Sequence, residues 1–182
     1  MRHKYVTQGI VLQRIPLAEA ATLVTLLTED FGLIRARAEG LRKPGAKLAS
    51  ALQTLSQSEV TLVRGKHGWR LSGALLSRNW FKELSGESRE RAGRVASLIL
   101  RLVQGEGHES LSKVYEEFLQ KIAVSNSSMQ DTLECVYALR ILSELGLDAG
   151  ADSIEVPEEE LSSEARRDIV LRINRGITAS GL

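Results

Sequence analysis

Hydrophobic and polar positions follow a period of two along the first part of the chain and a period near 3.6 along the rest. Ile10 and Leu12 alternate with Val11 and Gln13, and Ile34, Ala36 and Ala38 alternate with Arg35, Arg37 and Glu39. The second run predicts a half-buried strand with a basic outer face. Val60 and Leu62 repeat the pattern, as do Trp69, Leu71 and Gly73, and between these runs Gly65-Lys66-His67-Gly68 reads as a hairpin turn. Asp30-Phe31-Gly32 reads as another turn and Arg42-Lys43-Pro44-Gly45 as a loop. Residues 17–27 are rich in Ala and Leu, but Thr22, Val24, Thr25 and Thr28 favour a strand over a helix. Leu48, Leu52 and Leu55 stand at helical spacing and predict a short helix over residues 47–55. The expected order is β-β-β-α-β-β, that of an OB-fold, a five-stranded Greek-key barrel often used for oligonucleotides.

After Trp80 the helical period takes over. Ala92, Val95, Ala96, Ile99, Leu102 and Val103 form one apolar face ending at Gly105, and Leu111, Val114, Tyr115, Phe118, Leu119 and Ile122 form a second. A third helix starts near Ser128, with Asp131 in its first turn, and stops at Gly146, a good residue just past a helix end. Residues 147–156 form a loop. Pro157-Glu158-Glu159-Glu160 predicts an acidic helix start with proline in the first position, and Ala165, Ile169, Ile173 and Ile177 continue that last helix. The fold class expected is therefore α+β: a nucleic-acid-binding OB barrel over residues 1–80 and an all-α domain over residues 81–182, with no zinc finger.

Charge sharpens this division. Residues 1–82 hold 13 Lys+Arg against 5 Asp+Glu, a net of +8, and residues 83–182 hold 11 against 18, a net of −7. An asymmetry that coincides with the change of period points to one half that meets a polyanion.

Catalytic chemistry is missing. Residues 40–48 (GLRKPGAKL) resemble a phosphate-binding loop superficially, but the lysine is one position late and a leucine replaces the Mg²⁺-holding hydroxyl. Pro44 also removes a backbone donor from any phosphate cradle. His3, His67 and His108 are scattered without metal spacing, and Glu158-Glu159-Glu160 reads as a solvated helix terminus. Cys135, the single cysteine, excludes an intramolecular disulfide and any multi-thiolate metal site; Leu133, Val136 and Leu139 around it suggest a buried small hydrophobe. We expect no enzyme, no cofactor and no metal. Met1-Arg2-His3-Lys4-Tyr5 opens no long apolar stretch, so neither a signal peptide nor a membrane span is expected, and the protein is expected in the cytoplasm.

What remains is a set of cations on and beside the barrel: Arg35, Arg37, Arg42, Lys43, Lys47, Arg64, Lys66 and Arg70. Converging surfaces would make a groove able to follow a phosphate backbone. Tyr5 and Trp69 are the main candidates for base stacking, which leaves the grip mainly on phosphates.

Several of these residues are familiar in their order. Tyr5-Val6-Thr7-Gln8-Gly9-Ile10-Val11-Leu12 resembles the first strand of the RecO family of bacterial DNA-repair and recombination mediators. Pro16-Leu17-Ala18-Glu19-Ala20, before a strand ending in Thr28-Glu29-Asp30-Phe31-Gly32, is similar as well. Residues 40–48 look like the family's basic loop, and Leu139-Arg140-Ile141-Leu142-Ser143-Glu144-Leu145-Gly146 resembles a helix end of its C-terminal domain. The likeness is dense over residues 5–76, returns at 133–146 and is faint elsewhere. It implies an N-terminal OB-fold with a helical domain, and no enzymatic turnover. It further implies binding of single- and double-stranded DNA, annealing of complementary strands, and help in loading a recombinase onto protein-coated single strands. Its implied partners are RecR and single-stranded-DNA-binding protein, its implied setting the nucleoid, and Arg42, Lys43 and Lys47 are the residues it marks as DNA-contacting. Many members carry a four-cysteine zinc site after the Glu-Leu-Gly helix end; residues 147–182 hold no cysteine, and the chain is shorter than most relatives in that region.

Two other readings fit the same residues. Phosphate contacts do not separate DNA from RNA, so an OB-fold protein of RNA or ribosomal components is the first. A protein–protein adaptor working through its helical domain, with an incidental basic face, is the second.

Overall fold

A computed structural model describes residues 3–17, 21–41, 48–148, 150 and 154–181. Its strands are β1 (Lys4–Pro16), β2 (Ala21–Thr28), β3 (Gly32–Glu39), β4 (Ser56–Gly65) and β5 (Gly68–Asn79). Its helices are α1 (Trp80–Glu83), α2 (Gly86–Leu102), α3 (Ser110–Val124), α4 (Ser127–Glu144) and α5 (Ser163–Ala179). The chain forms two compact units, one of Met1–Glu83 with Gly105–Ser112 and one of Leu84–Gln104 with Lys113–Leu182.

In the first unit the strands close into a barrel in the order β1-β2-β3-β5-β4, with β1 pairing both β2 and β4. Only β3 and β5 run parallel, through Ala36 with Trp69 and Arg37 with Arg70. This is the five-stranded OB arrangement anticipated from the element order. The alternation of β3 is as expected: Ile34, Ala36 and Ala38 are fully buried while Arg35, Arg37 and Glu39 face out. Val11, Val24, Leu26, Val60, Leu62 and Leu71 fill the interior beside them. Of the strand expected over residues 17–27, residues 21–27 lie in β2, as their threonines and valine favour, and residues 18–20 lie outside the described residues.

β1 departs from simple alternation, because Ile10, Val11 and Leu12 are all buried. A register shift between Val11 and Gln13 against β2 inserts an extra residue, so two successive residues escape the pleat. The short helix expected over residues 47–55 is also corrected. Residues 48–55 make turns, with a single helical bond from Leu52 N–H to Leu48 O (3.1 Å). Carbonyls that would extend a helix accept instead from β4 hydroxyls, Ser50 from Ser56 (3.2 Å) and Ala51 from Ser58 (2.6 Å). Leu55, at φ 64°, then turns the chain into β4.

Trp80, fully buried, ends the barrel sequence in α1. Its indole donates to Gln57 Oε1 at 3.0 Å, and the Arg78 guanidinium lies 3.7 Å from its ring centre.

In the second unit Ser85 caps α2, and Asn126 caps α4 by accepting from Met129 N–H at 2.8 Å. The α4 stop falls where expected. Gly146 takes φ 69°, its N–H reaches Ser143 O, and Leu147 N–H reaches Leu142 O at 2.8 Å. Those two bonds satisfy the last carbonyls in the Schellman manner. The last helix is corrected: it begins not at Pro157 but at Ser163, capped by Ser162, whose hydroxyl accepts from Ala165 N–H at 3.2 Å. A serine cap satisfies a backbone donor that proline and glutamates at 157–160 leave open. Glu160 and Leu161 are tied instead to α4, through the hydroxyls of Ser128 and Thr132. Cys135 is half-buried rather than buried, although Leu133, Val136 and Leu139 beside it are buried. Burial raises its thiol pKa, so it is not poised as a thiolate.

Candidate nucleic-acid interface

Strand register decides which cations meet. Lys4 pairs with Val63, Val63 with Arg70, and Arg70 with Arg37, so one row runs across β1, β4, β5 and β3. Residues opposite one another in a ladder share a face. Ala36 and Trp69, one residue away, point into the core; Lys4, Arg70 and Arg37 therefore point out, and all three are exposed. Arg35, two residues from Arg37, lies on the same face of β3. Lys66 is exposed in the turn between β4 and β5, and His67 beside it is exposed too. Arg42, Lys43 and Lys47 lie outside the described residues.

A recess of about 610 Å³ opens at this surface, lined by Arg37, Arg64, Lys66, His67, Trp69 and Arg70, with Glu39 at 3.7 Å from Arg37. Among the described residues Lys4, Arg35, Lys66 and Arg70 have no carboxylate within ion-pair distance.

Arg64 differs. Its guanidinium sits 4.7 Å from the centre of the Trp69 ring and donates to both carboxylate oxygens of Glu106, at 2.8 and 2.7 Å. Trp69 itself is 7% exposed and belongs to the barrel core. Its ring centre lies 5.6 Å from Tyr5 and 5.0 Å from Phe31, and those two rings lie 5.5 Å apart edge to face. This cluster closes the barrel interior and supports Arg64, leaving no broad face of Trp69 for a base. Tyr5, at 37% exposure, keeps more open surface.

Two residues of this surface escape sequence reasoning. Lys4 faces out by simple alternation, but only the pairing of β1 with β4 places it in the row. Glu106 lies 42 positions from Arg64, beyond any local pattern. No group of three or more potential metal ligands occurs among the described residues, and none of the described helices is long and apolar enough to cross a membrane.

Fold and surface together define an OB barrel with a cationic outer row, continued by a helical unit. Residues 1–79 match the family described as Recombination protein O N terminal. The chain is 41% identical over 64 residues to the DNA repair protein RecO of Dehalococcoides mccartyi, covering 35% of this chain and 25% of that protein. It is 29% identical over 125 residues to the RecO of Gloeobacter violaceus (68% and 48%) and 30% identical over 144 residues to that of Heliobacterium modesticaldum (78% and 51%). Over its barrel the chain matches the recombination protein O family, and the longer alignments are likewise to RecO proteins. It spans between a quarter and about a half of the length of these relatives.

Proposed function

We propose that this chain works in DNA repair as a non-enzymatic recombination mediator. In this reading residues 1–80 bind single- and double-stranded DNA through phosphates and anneal complementary strands, and residues 81–182 support assembly with partners. RecR and single-stranded-DNA-binding protein are the proposed partners, and recombinase loading onto protein-coated strands in the cytoplasmic nucleoid is the proposed task.

The observation that carries the reading is the outward row of Lys4, Arg70 and Arg37, extended by Arg35 and Lys66 and largely free of carboxylates among the described residues. Such a surface neutralises backbone phosphates without reading base edges. The burial of Trp69 supports the same view, because a protein with few stacking platforms leaves bases free to pair. A cationic face that screens two strands while sparing their bases favours annealing over melting.

A strand-annealing assay with and without single-stranded-DNA-binding protein tests this directly. The expected result is faster pairing of complementary strands, on bare and coated DNA, with no melting of hairpins. Blocked annealing and melted hairpins at saturating protein would overturn it in favour of a sequestering OB protein. Preference for RNA over matched DNA in competition would redirect it to RNA.

A further inference from the structure

We infer that Arg64 is a phosphate subsite held in reserve, and that Glu106 occupies it in the free protein as a stand-in for a backbone phosphate. This rests on the reading of the barrel as a strand-binding surface.

The guanidinium of Arg64 lies over the Trp69 ring, which supports it, and its Nη1 donates to both oxygens of the Glu106 carboxylate. Oxygens of a phosphate can accept from the same charged nitrogen in place of the carboxylate. Arg64 lines the same recess as Arg37, Lys66 and Arg70, so a strand tracking those cations passes within reach of it. The indole N–H of Trp69, also lining the recess, is buried and has no acceptor among the described residues.

Glu106 is delivered by a short segment whose backbone is tied to the barrel. Gly107 O accepts from Leu33 N–H at 2.8 Å, and a side chain at Gly32 would collide with Gly107 O at 1.8 Å. Gly105 and Gly107 both take positive φ, at 108° and 112°, as this path requires. The segment can therefore stay docked while the Glu106 side chain alone swings away. Both members of the pair are about half exposed, and exposed ion pairs are weak and salt-screened. A strand that brings many phosphates at once displaces one such carboxylate readily, whereas a single stray anion competes with it on equal terms. Glu106 thus raises the threshold for binding and favours extended strands over isolated phosphates.

A double-mutant cycle on the full chain tests this, with a labelled oligothymidine as the probe and inorganic phosphate as competitor. Glu106→Gln is expected to tighten strand binding about two- to fivefold, the scale of one exposed ion pair. It should also make the complex more sensitive to inorganic phosphate at matched ionic strength. Arg64→Gln should weaken binding and flatten the salt dependence by about 0.7 in slope. In the Arg64→Gln background the gain from Glu106→Gln should vanish. An equal gain in both backgrounds, or none in the wild-type background, overturns the inference. Arg37→Glu/Arg70→Glu, measured alongside, separates the two levels. If that variant binds like wild type, the strand-binding reading fails; if it binds weakly while the cycle shows no coupling, only the reserve at Arg64 fails.

Discussion

In the helical unit Arg91 donates to Asp131 at 3.0 Å and to Glu134 at 2.9 Å, Arg140 reaches Glu117 at 3.2 Å, and Arg172 bonds Asp148. On the barrel, Lys4, Arg35 and Arg70 have no such partner among the described residues. Residue types are shared; local charge balance is not. With 18 acids against 11 bases after residue 82, five arginines there (Arg91, Arg94, Arg140, Arg166 and Arg172) pair with carboxylates among the described residues, four of them from one helix to another. With 5 acids against 13 bases before it, the barrel carries a surplus that no internal pairing can absorb. Cations left unpaired on the outer face of a barrel are available to a polyanion, and cations bonded between helices are not. Arg64 stands between these cases, on the barrel but paired.

Breaking the barrel from within gives the largest effect. Trp69→Ala removes a buried ring from the core and the support under Arg64, and should cost about 3–5 kcal/mol in denaturant unfolding. After correction for the folded fraction, the remaining loss of strand affinity should be smaller than that from reversing Arg42, Lys43 and Lys47. A larger loss would make Trp69 a stacking platform after all.

Arg91→Ala sharpens the contrast from the other side. Burial works against the Arg91 charge, but hydrogen bonds to Glu134 and Asp131 prevail and hold its pKa above the ordinary value. Its side chain is 14% exposed, and removing it takes away the one cation shared by Asp131 and Glu134, leaving Asp131 to Arg166 and Glu134 to Arg94. The loss should be about 2–4 kcal/mol of stability, with strand affinity per folded molecule unchanged. A fall in affinity equal to that of a barrel variant would erase the distinction between paired and unpaired arginines.

A smaller effect is expected at low pH. Hydrogen bonding from Arg172 holds the Asp148 carboxyl below its usual range despite its burial. A depressed carboxylate stabilises the fold above its unfolded pKa of about 4, and the gain is lost as pH falls through the lower folded value. Asp148→Asn should therefore be less stable than wild type at neutral pH and lose less on acidification below about pH 4. Parallel pH–stability curves would show the pair to be inert. The smallest effect is on metal: with one cysteine in the chain, melting temperature should not move on chelation, and stoichiometric zinc with a chelator-induced drop would contradict this.

Period and turn chemistry made much of the fold legible. Ile34, Ala36 and Ala38 against Arg35 and Arg37 marked β3 and its outer charge, and Gly146 marked the end of α4, because these signals act over a few residues. Spacing misled at Leu48, Leu52 and Leu55, where β4 serines claim the carbonyls, and at Pro157, where Ser162 offers the better cap. The basic surface was legible as a set of residues but not as an arrangement. Arg37 meets Arg70 only through a parallel pairing of β3 with β5, Lys4 joins through β4, and Glu106 reaches Arg64 across 42 positions. Trp69 looked like a platform because aromatic character is visible in sequence, whereas its burial beneath Arg64 and against Phe31 is not.

The most direct test of the central claim is the salt dependence of single-strand affinity, compared between wild type and Arg37→Glu/Arg70→Glu. If about five cations contact phosphates, log K should fall against log salt with a slope of roughly −3.5 in the wild type. Loss of two contacts should bring the variant to roughly −2.1 and weaken binding about tenfold or more at low salt. Equal affinity and equal slope in the two proteins would contradict the claim and move the nucleic-acid surface away from the outward row of the barrel.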